Sequence, residues 1–497
     1  MIRPASTTHV RVDVAGCPAR GAASLIVVML LFLVLSLTAA YTSRNLVFEQ
    51  KTSANQARST TAFEAADAGV DWVLTQLNGG RIANTCETPS AITDQSFQQR
   101  YLAIANGNIT QAIRATGTEA KLWPACVFNG TTWTCACPTT AALAPSPLPS
   151  GNGPFPAFRV WPAVVEAPTA TASPWTLYPV SRPGVLRLTV AGCTKLPSTS
   201  TETCLNYAAR GEIGEGLSGV RALLALRSGL VTLPAAAVTA RLGVTPAAVT
   251  GDRRLYVVNT DAASQGFTVN TADLIDPDRF VAQSLPGTPS ANSMAAGDKR
   301  LQDLVPSIGA SPYGVLNHGE RMFVMTFGMK KATYRDQPGL RMCVAPCDAT
   351  QINNLLLDHP NRIIWVDGSL TLNANIGIPP NPALTPPVPA QPVLLIVNGE
   401  TLTLDPGVAI YGFVYMTGGA TALSTIALPD AGPLVNAITG ALVAEGNLVT
   451  TYSGTPAPPS RLTVTYDAAA LELLRTTYGS WVKLPGSWRD FKEPPPP

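Results

Sequence analysis

The pattern of apolar and polar residues sets the N-terminal part of the chain apart from the rest. From Ala22 to Ser43 an apolar run contains no charged residue. At about 1.5 Å per helical residue it is roughly 33 Å long, enough to cross a hydrocarbon core of about 30 Å. From Arg44 to Leu77 the chain has no proline and one glycine, Gly69, and good helix formers dominate. The pattern predicts one helix over 22–77, with a transmembrane part at 22–43 and an extension at 44–77.

The extension carries small residues and one aromatic at steps of three or four, which predicts a single packing face. These positions are Ala54, Ala57, Thr61, Ala65, Ala68 and Trp72. The sequence Asn78-Gly79-Gly80 then predicts the end of the helix.

Beyond the helix, short apolar runs alternate with turn residues, and 40 glycines and 44 prolines are spread through the chain. Residues 95–116 have a polar, helical character, whereas 158–161 and 184–190 alternate as strands do. Long amphipathic helices are scarce after Leu77. The fold class predicted is therefore α+β: a long N-terminal helix followed by a mainly β region.

The C-terminal third contains an internal repeat. Residues 366–372 recur as 397–404 and more loosely as 444–450, each copy an apolar strand, a turn through glycine and an alternating strand. Such units favour the stacked coils of a parallel β-solenoid. The alternative is a set of antiparallel β-hairpins in a sandwich.

Charge gives no sign of nucleic-acid binding. The chain has 34 Lys+Arg and 32 Asp+Glu, of which residues 1–21 hold three and one, so 31 of each remain beyond Gly21. A balanced chain lacks the basic surface that nucleic acid requires. The excess of arginine before the apolar run predicts that this end stays in the cytoplasm while the rest crosses the membrane.

Cysteine usage predicts disulfides in an exported chain. Cys193 with Cys204 is the first predicted pair, since the two flank a polar loop, and Cys343 with Cys347 is the second. Cys86, Cys126, Cys135 and Cys137 leave three pairings open. Zinc is the competing interpretation for Cys135 and Cys137, but few histidines are available to complete such a site.

Catalytic motifs are absent from the sequence. It has no phosphate-binding loop, no His-Glu-x-x-His and no Gly-x-Ser-x-Gly pattern. His318 and His359 are interpreted as turn residues. Asp367 and Asp405 are possible calcium ligands, but such residues more often accept hydrogen bonds from their own turn. We expect neither an enzyme nor a bound cofactor or metal.

Two segments of the helix resemble a known family. Arg20-Gly21-Ala22-Ala23-Ser24-Leu25-Ile26 resembles the class III signal sequence of type IV pilins, and Ala62-Phe63-Glu64-Ala65-Ala66-Asp67-Ala68-Gly69-Val70 resembles the helix end of PilX-type minor pilins. The resemblance implies cleavage by prepilin peptidase after Gly21, N-methylation of Ala22 as the new N-terminus, and a β-meander packed on the upper half of the helix. Major pilins carry a glutamate where this chain has Ile26, which favours an initiating or tip subunit.

The resemblance implies a minor pilin that is anchored in the bacterial inner membrane, has a periplasmic C-terminal region, and later enters a pilus on the cell surface. Its implied partners are other minor and major pilins, prepilin peptidase and the inner-membrane assembly platform. Two alternatives remain: a type II secretion tip pseudopilin, whose large insert is helical and binds calcium, and an adhesin or surface-binding protein on a pilin-like anchor.

The expected division of the chain follows these features. Its parts are a leader at 1–21, the helix at 22–77, a disulfide-bonded pilin-like meander at 78–226, a β-rich middle region at 227–345, a repeat region at 346–490 and a disordered tail at 491–497.

Overall fold

The computed structural model describes most of the chain. The described residues are 20–105, 108–111, 122–139, 145, 155–164, 184–194, 204, 216–246, 254–302, 318–385, 388–419, 422–429, 434–453 and 461–490. The expected leader up to residue 19 and the expected tail at 491–497 lie outside these residues.

One long helix dominates the N-terminal part, as the sequence predicts. The helices are α1 (Arg20–Asn78), α2 (Phe97–Tyr101), α3 (Lys299–Gln302), α4 (His318–Phe327), α5 (Lys331–Arg335), α6 (Ala349–Asp358) and α7 (Ala468–Thr477). Helix α1, here called the rod, has 59 residues, which corresponds to about 88 Å.

The strands fall into groups along the chain. The first are β1 (Leu102–Ala105), β2 (Asn108–Gln111), β3 (Ala125–Phe128), β4 (Trp133–Ala136), β5 (Ala157–Val164), β6 (Val185–Cys193) and β7 (Leu217–Ser228). The next are β8 (Val238–Ala240), β9 (Val244–Pro246), β10 (Leu255–Val258), β11 (Val269–Thr271), β12 (Phe280–Gln283), β13 (Met294–Ala295) and β14 (Leu340–Cys343). The last are β15 (Ile363–Asp367), β16 (Leu370–Leu372), β17 (Val393–Asn398), β18 (Thr401–Leu404), β19 (Ala409–Met416), β20 (Leu423–Pro429), β21 (Val435–Ala444), β22 (Asn447–Ser453), β23 (Arg461–Tyr466) and β24 (Gly479–Lys483).

The helix predicted over residues 95–116 is wrong for most of its described length. Only α2 is helical, started by a capping box between Ser96 and Gln99. The chain becomes extended at Leu102, because β1 and β2 pair as an antiparallel hairpin whose backbone hydrogen bonds replace those of a helix.

The rod packs on a six-stranded antiparallel sheet with the strand order β24-β7-β6-β5-β3-β4. Five of these strands follow one another closely along the chain, and β5, β6 and β7 pair antiparallel over long registers. The sixth, β24, comes from the C-terminal end of the chain and pairs antiparallel with β7. We call this unit the antiparallel sheet.

Two parallel sheets form the second unit, here called the parallel stack. Their strand orders are β12-β10-β23-β21-β19-β17-β15-β14 and β16-β18-β20-β22-β9, and the chain alternates between them from β15 to β22. Equivalent residues of the repeats are aligned across the sheet. Val366 pairs with Val397, Val397 pairs with Met416 on the next strand, and Met416 pairs with Ala444. The pairings are parallel, as stacked coils require, whereas the hairpins of a sandwich would pair antiparallel.

In the sequence, the parallel stack is inserted between two strands that are neighbours in the antiparallel sheet. Ser228, the last residue of β7, pairs directly with Gly479, the first residue of β24. Residues 229–478 therefore stand where a hairpin turn would otherwise connect two paired strands. Strand β24 lies within residues 346–490, the expected repeat region, but it belongs to the antiparallel sheet because its backbone pairs with β7. Strands β8, β9 and β10 extend the stack by pairing with β21, β22 and β23, respectively.

Candidate assembly interface on the N-terminal helix

The first half of the rod is exposed along its described length. Its large apolar side chains between Leu25 and Phe48 are 45% to 71% exposed. Of the helices in the described chain, this is the one long and apolar enough to cross a membrane. Ile26, where major pilins have a glutamate, is one of these exposed apolar residues.

The second half of the rod is seated on the antiparallel sheet. Its fully buried residues recur at steps of three or four and are Ala62, Ala65, Ala66, Val70, Val73 and Leu77. The last four of these share a core with side chains from β5, β6 and β7, among them Phe158, Val190 and Val220. The same helix therefore has an exposed apolar surface over its first half and is packed on the sheet over its second half.

The packing face predicted from small residues is partly wrong. Ala65 lies on the buried face, but Ala54, Ala57 and Ala68 are exposed. Small size does not by itself select the buried side, because the apolar side chains of Val70, Val73 and Leu77 decide which face meets the sheet.

Glycines let the rod approach the sheet closely. A Cβ atom at Gly192 on β6 would overlap the backbone of Ala62, and one at Gly216 would overlap the backbone of Arg58. On the rod itself, a Cβ at Gly69 would meet Val190 and Phe158. The rod therefore lies closer to the sheet than side chains at these positions would allow.

The C-terminal end of the rod is held by both units. Asn78 is buried, and its side-chain amide donates a hydrogen bond to the Trp481 carbonyl and accepts one from the Trp481 amide, at 2.9 and 2.8 Å. The Arg341 guanidinium donates to the Asn78 carbonyl at 2.8 Å. Arg362, almost completely buried, donates to the carbonyls of Leu77 and Gly79. The carbonyls that a helix end leaves unpaired thus bind arginines, whose charge also suits the negative end of the helix dipole.

Residues near the C-terminal end of the described chain also contact the rod, at positions before its C-terminal end. Trp488 lies edge-on to Phe63, with ring centroids 5.8 Å apart, and its indole N–H donates to the Asp67 carboxylate at 3.2 Å. Residues after the stack therefore complete the seat of the rod.

Four disulfides connect the eight cysteines that follow residue 21. Cys193 bonds with Cys204 and Cys343 with Cys347. Of the three pairings left open by the sequence, the structure has Cys86 with Cys137 and Cys126 with Cys135. Cys135 and Cys137 thus have separate partners. Three of the bonds lie in or beside the antiparallel sheet, and the fourth lies at β14, the edge strand of the stack.

Other predicted positions have structural partners. Gly21 and Ala22 lie in the first turn of α1. The Asp367 carboxylate accepts hydrogen bonds from Trp365, Asn398 and Arg335 at 2.8, 3.0 and 2.5 Å. Asp405 lies in a turn, where its carbonyl accepts from the Val408 amide at 3.1 Å. In the part of the chain that is described, no three His, Cys, Asp or Glu side chains gather as metal ligands would.

The sequence does not single out the residues that hold the end of the rod. Asn78-Gly79-Gly80 predicts only the end of a helix, and no motif marks Arg341 or Arg362. Their signal is weak, because it consists only of two arginines next to apolar strands, each with an aliphatic stem that packs well and a charge that needs a partner when buried.

Together the fold and this interface define a class of protein, in which a long helix with a free apolar half is seated on an antiparallel sheet. Residues 20–71, which cover most of the rod, match the family model for the PilX N-terminal region. This match confirms the resemblance carried by residues 20–26 and 62–70, and the rod is of the PilX type.

Two further comparisons add little. A similar solved structure is the competence-associated pilin ComZ from Thermus thermophilus, with 10% sequence identity, 87% of this chain and 97% of that chain covered, and a TM-score of 0.18. A likeness at that score carries no argument about the fold or function of this chain. No curated protein matches the chain.

Proposed function

We propose that this chain is a type IV pilin-like subunit, a minor pilin that acts in pilus biogenesis at the initiation or tip of the fibre. One observation carries the proposal: a single helix of the PilX type is apolar and exposed over one half and seated on a sheet over the other. Such a half-free helix can rest in a bilayer first and pack among other helices later. Its partners would be other pilins, prepilin peptidase and the inner-membrane assembly platform.

Ile26 supports an initiating or tip position. A carboxylate in hydrocarbon is costly unless it is paired, and in the pilins this chain resembles, the partner is the N-terminal amine of a neighbouring subunit. A subunit with isoleucine there has no such group to offer its neighbour. It is therefore better suited to an end of the fibre than to repeated addition along it.

The parallel stack supports a second candidate role, the display of a surface-binding unit. Residues 229–478 are inserted at a hairpin position at the end of the sheet, and the stack meets the C-terminal end of the rod, away from its apolar half. In a fibre tip this position would face outward. The insert is built mainly of parallel strands, which disfavours a type II secretion tip pseudopilin with its helical insert.

The orientation follows from the same proposal. Residues before the rod would lie in the cytoplasm, the apolar half would cross the inner membrane, and both β units would lie in the periplasm, where disulfides form.

The direct test is the mature N-terminus of the full-length chain, mapped by mass spectrometry after expression with an active prepilin peptidase. We expect it at Ala22, and we expect Gly21→Glu to leave the leader uncut. Ile26→Val, a similar change five residues further on, is the matched control and should be processed normally. A wild-type chain that keeps its leader, or is cut elsewhere, would contradict the proposal.

A further inference from the structure

His359 lies at the junction between the rod and the parallel stack. It follows helix α6 and packs against the turn after the rod, where a Cβ atom at Gly80 would come within 2.6 Å of its Nδ1 atom. That nitrogen is buried and has no hydrogen-bond partner among the described atoms. A backbone hydrogen bond joins the two parts of the chain nearby, since the Arg81 amide donates to the Asp358 carbonyl at 2.7 Å.

The charged groups around His359 are mostly cationic. Arg341 from β14 and Arg362 just before β15 both bind carbonyls at the end of the rod. The Asp358 carboxylate is the one anion of the group, and it is bound by Arg81 at 2.7 Å. A proton on His359 would therefore add a third cation beside two guanidiniums, one of them buried.

We infer that His359, Arg341 and Arg362 form an acid-sensitive latch that holds the stack on the end of the rod and loosens when His359 is protonated. The neutral imidazole packs against Gly80, next to the rod-end carbonyls that the two arginines bind. The imidazolium would be repelled by both guanidiniums, and the contacts that would yield are their hydrogen bonds to the Leu77, Asn78 and Gly79 carbonyls. The stack would remain attached through its two chain connections to β7 and β24.

The electrostatics agree with this arrangement. Burial, together with Arg341 and Arg362, lowers the pKa of His359 to about 4, although Asp358 acts in the opposite direction. A histidine whose pKa is lower in the folded state contributes stability that is fully present above its unfolded value of about 6.5 and is lost as pH falls toward 4. The latch should therefore hold at neutral pH and loosen between about pH 6 and pH 4.

Hydrogen–deuterium exchange of the full-length chain in detergent micelles, corrected for the intrinsic pH dependence of exchange, tests the latch. In the wild type, protection of peptides covering residues 78–83 should fall by about tenfold or more between pH 7 and pH 4, the equivalent of one or more pKa units. His359→Gln, which cannot be protonated, should remove most of that fall. His318→Gln is the matched control and should keep it. An equal fall in wild type and His359→Gln, or no fall in the wild type, overturns the inference.

A second measurement covers the case in which His359→Gln does not fold. The chain has three histidines, so the imidazole of His359 can be titrated individually through exchange of its ring C–H followed by mass spectrometry. Its pKa in the wild type should lie below 5 and should rise in Arg341→Gln. An ordinary wild-type value near 6.5, or no rise in the variant, contradicts the latch.

Discussion

The side chain of Asn78 and the backbone of Trp481, 403 positions apart, form a reciprocal pair of hydrogen bonds. Asn78 is the last residue of the rod, and Trp481 lies on β24, the edge strand of the antiparallel sheet. The pair covers an edge that would otherwise present unpaired backbone groups. It also joins the rod to β24, so the rod is fully packed only once β24 has joined the sheet.

Asn78→Ala should destabilise the antiparallel sheet. The change leaves the amide and carbonyl of Trp481 without partners in a buried place, and each orphaned group costs about 1–3 kcal/mol. Urea unfolding of the full-length chain in micelles, followed by tryptophan fluorescence, measures the loss. Thr75→Ala, an exposed change one turn earlier on the rod, should cost far less. Equal stability of Asn78→Ala and the wild type would mean that the pair contributes nothing.

Gly192→Val should displace the rod from its seat. A side chain there overlaps the backbone of Ala62, and neither a helix nor the middle of a sheet can yield by that much. We expect the free energy of unfolding to fall by several kcal/mol, or the variant to fail to fold. In either case a protease should rapidly cleave the rod at residues that are buried in the wild type. Thr451→Val, an exposed strand change on β22, is the control and should leave the rod protected. A variant with wild-type protection would show that the rod does not lie against β6.

Glu445→Gln should change how stability depends on pH. Burial raises the pKa of Glu445 to about 7, although Lys331, Tyr415 and Arg241 favour its charged form. A carboxyl group whose folded pKa is raised contributes stability that is fully present below its unfolded value of about 4.5 and is lost as pH rises through 7. The unfolding free energy of the variant should therefore rise relative to the wild type between pH 5 and pH 8, by up to about 3 kcal/mol. A difference that stays constant, or falls, over this range would contradict a raised pKa for Glu445.

The sequence predicts the parts of the fold that depend on local pattern. A charge-free apolar run of membrane-spanning length identifies the rod without tertiary information. The repeat at 366–372 and 397–404 indicates stacked strands, because residues in register share one environment.

What the sequence does not predict depends on distant pairing. The insertion of the stack follows from the contact between Ser228 and Gly479, which no local pattern encodes. The helix expected after Gln95 gives way to a hairpin because strand pairing overrides helix propensity there. Asn78 looks like an ordinary helix terminator until its partner on β24 is known.

We propose that the rod and its sheet act as an assembly unit and that residues 229–478 are an insertion in that unit. Replacing 229–478 by Asn-Gly would connect Ser228 to Gly479 through a two-residue hairpin turn. The decisive measurement is the amount of this variant in sheared pili relative to the wild type, both expressed in a piliated strain that lacks the native gene. We predict that the shortened chain enters pili at a level similar to that of the wild type. Absence of both chains from pili that are otherwise present would contradict the pilin role, and absence of the shortened chain alone would contradict the insertion.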